Sequence, residues 1–424
     1  MSPHTPSGRP AARHGWAQAL VTVLGALIAM GAVAALGLWA AGATDLPGGS
    51  FPQVVAATVV TAVGGTVELS GDAGDLAGTE GGLTVVPLSV TLTGALVIGR
   101  SFLRPLRRRT VAGAPGLAGW AARIAALWLF AVLGLALAAR HTYELSLGDG
   151  PLGDLGELFG IRPVVGFSTA VPPTVLIGLL WLAGVLVVAL AVFRCPPLPA
   201  GPLRFQRSAR PAARAMVGLL LAAVVIGLVI ALVVAATRGH PADTFAVILL
   251  GLPNVAWLAL TVGLGATWDG RVEGPFGLPM PQVLDEVLRT PGVSALNLRT
   301  LTEHDGGRWW WLPVVDAVLL LAAASVMAAR SPARVRAWQH AVRMAVALAL
   351  TVLMICLVVR ISARFGLSVL GIGDPGEGFS GQVLLRPRWW SALGLALLWG
   401  LVTGFAGALT ARALRRRRGT ETPR

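Results

Sequence analysis

The chain has 424 residues, of which 55% are hydrophobic and only 13% are charged. Soluble domains usually carry about 25% charged residues, so this composition excludes an ordinary soluble protein and indicates a polytopic membrane protein. All 34 basic residues are arginines and the formal net charge is +14, but the arginines cluster in short segments between apolar runs. That arrangement is typical of membrane proteins, and we therefore expect no nucleic-acid partner.

The first apolar run follows a short basic N-terminus and extends from Trp16 to about Ala41. A signal peptide has an apolar core of about 7–15 residues, so this longer run is predicted to be an uncleaved transmembrane helix. Seven later runs also have the length of a membrane span. The eight predicted spans are 16–41, 83–102, 116–139, 173–193, 215–237, 309–329, 341–360 and 389–410.

The distribution of arginine decides whether two further apolar segments, 51–66 and 245–268, cross the membrane. If only the eight runs cross, the cytoplasmic segments hold 23 arginines and one acid, whereas the external segments hold 11 arginines and 18 acids. If 245–268 also crossed, every later segment would invert and arginine-rich loops would lie outside, against the positive-inside rule. We therefore predict cytoplasmic termini and two external re-entrant or interfacial segments. Proline lacks an N–H, so 245–268 is expected to break at Pro253–Asn254.

The two parts of the chain resemble each other in the order of short phrases. VVPLSV at 85–90 matches WLPVVD at 311–316, and LLW occurs at 179–181 and again at 397–399. Compositional bias is the alternative explanation. Because four spans is an even number, two such repeats would have the same orientation. The predicted fold class is all-α: a polytopic membrane protein with about eight transmembrane helices in two parallel four-helix repeats.

The predicted boundaries follow from the same spans. The largest external loop, 269–308, contains PQVLDEVLRT, which is typical of a short amphipathic helix. The glycine-rich stretch 64–82 is predicted to be a flexible external loop. In chain order we expect a cytoplasmic N-terminus (1–15), a first four-span repeat (16–196), a basic cytoplasmic linker (197–214), a second four-span repeat (215–411) and a basic cytoplasmic tail (412–424).

Asp316 is the one acidic residue inside a predicted span. An intramembrane acid suggests a proton relay, a cation site or a substrate contact, although it could instead reach the interface or cap a neighbouring helix. Pro253 and Asn254 complete the candidate intramembrane site; Asn254 could satisfy freed backbone groups or contact a polar ligand. His240 and Asp243 form a candidate external pair that could titrate together, unless they are simply solvated.

The other polar residues do not indicate a metal site, a disulfide or a catalytic site. Glu303, His304 and Asp305 are adjacent, so their side chains point in different directions and make a poor metal site. Cys195 and Cys356 have no partner spacing for a disulfide or zinc site. Nucleotide-binding and hydrolase motifs are absent from the sequence, so we expect no enzyme, no cofactor and no metal.

Two long phrases, RGHPADTFAVILLGLPNVAWLAL at 238–260 and GPFGLPMPQVLDEVLRTP at 274–291, resemble the streptophobe family. HGWAQAL at 14–20, VPLSVTLTG at 86–94 and the final arginine cluster extend the resemblance over the whole chain. That family comprises very hydrophobic actinobacterial membrane proteins, so the resemblance implies a plasma-membrane protein of a Gram-positive cell. It implies no activity. LPNVAW at 252–257 is also similar to a phrase in actinobacterial permease-like proteins linked to cell division.

Two functions remain open on the sequence. The first is a transporter- or permease-like protein with its site between the two repeats. The alternative is a non-transporting envelope or cell-division-associated scaffold, which would act through the external loop and the basic cytoplasmic face. The expected partners are membrane lipids, with anionic headgroups bound at the arginine-rich cytoplasmic face.

Overall fold

The structure is a computed structural model, and helices account for most of what it describes. The described residues are 9–45, 49–72, 77–107, 113–144, 164–193, 200–237, 241–273, 294–331, 335–369 and 381–420. The helices are α1 (Arg9–Ala40), α2 (Phe51–Ala62), α3 (Leu88–Arg107), α4 (Gly113–Ala138), α5 (Val171–Val192), α6 (Ala200–Thr237), α7 (Pro241–Gly263), α8 (Leu298–Asp305), α9 (Trp311–Ala329), α10 (Ala337–Val358) and α11 (Trp389–Thr420).

The membrane prediction is confirmed, because eight described helices are long and apolar enough to cross a bilayer. They are α1, α4, α5, α6, α7, α9, α10 and α11. This set differs from the eight predicted spans at two places. It includes α7, which covers most of 245–268, and it omits α3, whose C-terminal part carries Arg100, Arg104 and Arg107 and is therefore less apolar.

An eight-stranded antiparallel sheet was not predicted. Its strands are β1 (Val67–Asp72), β2 (Ala77–Thr84), β3 (His141–Glu144), β4 (Val164–Thr169), β5 (Trp268–Glu273), β6 (Ser294–Leu296), β7 (Ile361–Val369) and β8 (Gly381–Pro387). The spatial order is β3-β4-β1-β2-β7-β8-β5-β6. The prediction of a flexible loop at 64–82 is therefore wrong. Glycine disfavours strands locally, but β1 and β2 pair with each other and with the distant strands β4 and β7.

The order of elements is the same in the first half (residues 9–193) and the second half (residues 200–420). Each half runs helix, helix, two strands, then two long helices, two strands and a final helix, with α8 inserted in the second half. The sheet shows the same order, since β3-β4-β1-β2 and β7-β8-β5-β6 occupy equivalent places. The two halves join where β2 pairs with β7, with Thr84 opposite Ser362.

Two helices extend further than the predicted boundaries. The basic segment 197–214 is mostly helical, because α6 begins at Ala200 and continues without interruption to Thr237. The basic tail 412–424 is likewise helical as far as Thr420, where α11 ends. Arg214 donates a hydrogen bond to the carbonyl oxygen of Val192 at 2.8 Å, which ties α6 to the end of α5. The predicted amphipathic helix at 283–289 lies outside the described residues.

The buried apolar side chains form two main clusters, one for each half. The first is built on α1, α3, α4 and α5 and contains the buried Trp128. The second is built on α6, α7, α9, α10 and α11 and contains Trp268. Many large apolar side chains on the outer helix faces are exposed, including Phe130 and Val314. Such surfaces require a lipid environment, because monomeric soluble proteins rarely expose contiguous apolar patches of this extent.

Helix α11 lies against its neighbours at backbone distance. A Cβ atom added at Gly404 would lie 2.8 Å from the Cα of Ala341, and one added at Gly407 would lie 2.8 Å from the carbonyl carbon of Ala324. Gly400 is equally close to Ala345 in α10. Small residues spaced three or four apart on one helix face allow this approach, which is a common way for helices to associate in lipid.

Candidate intramembrane site

Helix α7 is the element on which the candidate site is built. It begins four residues after α6 ends and is followed by β5 five residues after its own end. Its side chains pack against α6 of its own half and against the first half, where Leu250 lies against Gly37 of α1. Asn254 hydrogen-bonds to the residues at the start of α3. Helix α7 therefore lies between the two halves, where the sequence predicted the site.

Pro253 does not break this helix, so that prediction is wrong. Helix α7 is continuous from Pro241 to Gly263, with Pro253 inside it. Proline removes one backbone hydrogen bond and crowds the preceding turn. The hydroxyl of Ser89 donates to the carbonyl oxygen of Ile248 in that turn at 2.8 Å. The carbonyl that loses its donor to Pro253 is that of Leu249, so the Ser89 contact adds a tertiary hydrogen bond one residue away and does not replace the lost one.

Asn254 makes two hydrogen bonds to the first half. Its Oδ1 accepts from the backbone N–H of Leu88 at 3.0 Å, and its Nδ2 donates to the carbonyl oxygen of Val86 at 2.9 Å. Leu88 is the first residue of α3, where backbone N–H groups have no partner within the helix. Asn254 therefore caps a helix of the other half. This role is structural, but the backbone groups it satisfies are those at the start of α3 and not those freed by Pro253.

Replacing Asn254 by alanine is expected to destabilise the protein by about 2–4 kcal/mol, because the Leu88 N–H and the Val86 carbonyl both lose their partner. Ser89→Ala is the comparison, since it removes the single bond to Ile248 and should cost about 1 kcal/mol. Thermal unfolding in detergent measures both. Equal losses in the two variants would contradict a capping role for Asn254.

The C-terminal end of α7 is a tight turn held by two tryptophans. Gly265 has a φ of 95°, a conformation that glycine adopts readily. The indole of Trp268 donates to the Thr261 hydroxyl at 3.0 Å, and the indole of Trp399 donates to the Leu264 carbonyl at 3.1 Å. Helix α2 ends in the same way, with Gly64 at a φ of 91°.

Asp316 lies directly against this turn. Its side chain is buried, with 3% of the residue exposed, and its Oδ2 has no hydrogen-bond partner. None of the described residues forms an ion pair with it. A Cβ atom added at Gly263 would lie 2.9 Å from the Asp316 Cγ and would meet Oδ2, so the carboxyl group occupies the space that the glycine leaves.

The structure separates the residues predicted to share one site. Asp316 contacts Gly263, which is nine residues along α7 from Asn254 and therefore about 13 Å away. Asp243 is exposed in the first turn of α7. His240 lies outside the described residues. What the sequence analysis missed is Gly263; its only signal was a glycine near the end of an apolar segment.

The described residues contain no group of three histidine, cysteine, aspartate or glutamate side chains placed to hold a metal ion. Glu303 forms an exposed ion pair with Arg299 at 2.8 Å, and the side chains of His304 and Asp305 lie outside the described part. Cys356 is buried in α10. Among the residues that the structure describes, Asp316 is the buried acid, and a chemical role could depend on it.

No family model matches the chain. The curated proteins and the solved structures contain no match either.

Proposed function

We propose that this integral membrane protein is transporter- or permease-like, and that Asp316 binds the proton or small cation that is moved. The supporting observation is a buried carboxyl group, within an apolar helix, whose Oδ2 has no hydrogen-bond partner. Intramembrane acids are costly and are therefore rare unless they carry function. The contact with Gly263 supports the same proposal, because this glycine has no side chain and leaves space for the carboxyl group of Asp316.

The proposed topology has eight crossing helices: α1, α3, α4, α5, α6, α9, α10 and α11. Helices α2 and α7 do not cross; each is an interfacial segment with both ends on the side of the sheet. Support comes from the single sheet, since a sheet lies on one side of a membrane and β1 and β5 follow shortly after the ends of α2 and α7. The repeated element order favours two parallel four-span repeats. The arginine distribution favours cytoplasmic termini and a plasma-membrane location.

The chemistry of Asp316 follows from its surroundings. An ionised carboxylate away from water and without a partner is strongly unfavourable, so the group holds a proton or neutralises its charge with a bound cation. Release of that proton or cation requires a second arrangement in which the carboxyl reaches water. The turn at Gly263–Gly265 is the contact that would have to move, because it covers the carboxyl directly.

The test is proton and cation flux in liposomes that contain the purified protein. A pH or cation gradient is imposed, and its decay is followed with an internal dye. Asp316→Asn is expected to reduce the flux to that of empty liposomes, because it keeps the shape and removes the ionisable group. Glu303→Gln is the matched control, since this acid is exposed. Equal flux in wild type and Asp316→Asn would contradict a role for Asp316.

The second candidate is a non-transporting envelope or cell-division-associated scaffold. It is favoured by the sheet, which joins both halves on one side through eight strands. It is also favoured by Asn254, whose amide is engaged in helix capping and not in ligand contact. The scaffold predicts no gradient-dependent flux in wild type or variant. Anionic lipid at the arginine-rich cytoplasmic face is a proposed partner under both functions.

A further inference from the structure

We propose a second site, distinct from Asp316: Arg360 and Arg386 bind the phosphate of an anionic lipid headgroup at the membrane-facing end of the sheet. The two arginines line a cavity of about 380 Å³ together with Thr84, Ser362 and Trp389. Pockets for small molecules have volumes of roughly 300–1,000 Å³, so this cavity suits a group of headgroup size. Its walls come from both halves, since Thr84 ends β2 and Ser362 lies in β7.

The strand register places Arg360 and Arg386 opposite each other on neighbouring strands. Ile361 pairs with Leu385, so the next position along each strand sets Arg360 opposite Arg386. Both residues are exposed, and both line the cavity. Like charges directly opposite each other destabilise a sheet. An anion between them would reverse that cost, because a guanidinium group binds phosphate oxygens through two parallel hydrogen bonds.

The acid in register with Arg386 already forms an ion pair with another arginine. Asp269 pairs with Arg386 in the register of β5 and β8, but both its carboxylate oxygens accept from Arg388, at distances of 2.8 to 3.1 Å. Neither Arg360 nor Arg386 forms an ion pair with a residue that the structure describes. The third sheet arginine nearby, Arg364, is exposed and does not line the cavity. Arg360 and Arg386 therefore have no described ion-pair partner, and the acid in register with Arg386 is bound to Arg388.

The cavity lies at the height of lipid headgroups. Arg360 follows the end of α10 by two residues, and Arg386 precedes the start of α11 by three. Trp389 begins α11 beside the exposed Trp390, as expected for aromatic residues at a membrane interface. The hydroxyls of Thr84 and Ser362 add two possible donors to the phosphate. Phosphodiester lipids are concentrated at this height, which favours a lipid over a dissolved anion.

Crosslinking of the full-length protein in nanodiscs tests the site without interference from the cytoplasmic arginines. A photoreactive phosphatidylglycerol is activated, and the crosslinked peptides are mapped by mass spectrometry. We expect crosslinks at 359–364 and 381–390 that excess phosphatidylglycerol suppresses, whereas phosphatidylcholine and inorganic phosphate do not. The double variant Arg360→Gln/Arg386→Gln should lose about tenfold or more of this signal, since two charge-assisted contacts disappear.

Arg364→Gln is the matched control and should retain the crosslinks, because this arginine lies in the same strand outside the cavity. Unchanged melting temperatures of the variants show that the fold is intact. Crosslinks that persist in the double variant, or that fall equally in Arg364→Gln, would overturn the site. Suppression by inorganic phosphate as strong as by phosphatidylglycerol would overturn the lipid as ligand and assign the arginines to a free anion.

Discussion

Replacing Gly263 by alanine is expected to destabilise the protein by about 2–3 kcal/mol, because the added methyl group has no space. It would meet the carboxyl group of Asp316 and lie 3.0 Å from the Cγ of Leu312. Both neighbours are buried, so neither side chain can move into solvent. The effect is measured by thermal unfolding of the purified protein in detergent.

The first half indicates how this loss can be rescued. Helices α2 and α7 end in the same turn, with Gly64 and Gly265 at equivalent places, so Ala62 occupies the position of Gly263. The matching phrases VVPLSV and WLPVVD place Val90 at the position of Asp316. The double variant Gly263→Ala/Asp316→Val therefore gives the second half the same two residues that the first half has at these positions. Both Ala62 and Val90 are fully buried.

A double-mutant cycle separates this specific contact from general damage. Gly263→Ala alone should lose stability, whereas in the Asp316→Val background it should be close to neutral. Gly251→Ala is the matched control in the same helix, because a Cβ atom there meets nothing within 4 Å. That control should be neutral or slightly stabilising, since alanine favours helix. Additive losses in the cycle would contradict the assigned contact between Gly263 and Asp316.

Replacing Gly400 by alanine is expected to destabilise the protein by about 3 kcal/mol or more. The added Cβ atom would meet the Cα of Ala345 and lie 2.8 Å from its backbone nitrogen. A side chain can change rotamer, but the backbone of α10 moves only if the whole helix shifts. Gly404 and Gly407 hold α11 at the same distance from its neighbours, so a shift at one position is opposed at the others.

Gly394→Ala provides the matched control for Gly400→Ala. It lies in the same helix, and a Cβ atom added there has open space. The two variants thus make the same change in helix propensity and differ only in packing. The measurements are the yield of folded protein and its melting temperature in detergent. Similar melting temperatures for the two variants would contradict the close approach of α10 and α11.

Asp316 and Gly263 show how far the candidate site could be predicted. Asp316 was found because an acid inside an apolar run is conspicuous in the sequence. Gly263 is one of 53 glycines, and nothing in the sequence distinguishes a glycine that faces a carboxyl group from one that faces lipid. Asn254 was identified as polar and intramembrane, but its partners Val86 and Leu88 lie more than 160 residues away in the chain.

The sequence by itself determined that this is a multi-pass membrane protein, because the length and apolarity of a span are local properties that the bilayer dictates. Only the tertiary structure decided how those helices pack against one another and which strands pair. The sheet depends on pairings such as β2 with β7, and glycine-rich strands carry little local preference for that state. Ser89 and Asn254 join α7 to α3, and the carboxyl group of Asp316 occupies the space that Gly263 leaves. Such contacts join residues far apart in the chain, so local periodicity and charge could not predict them.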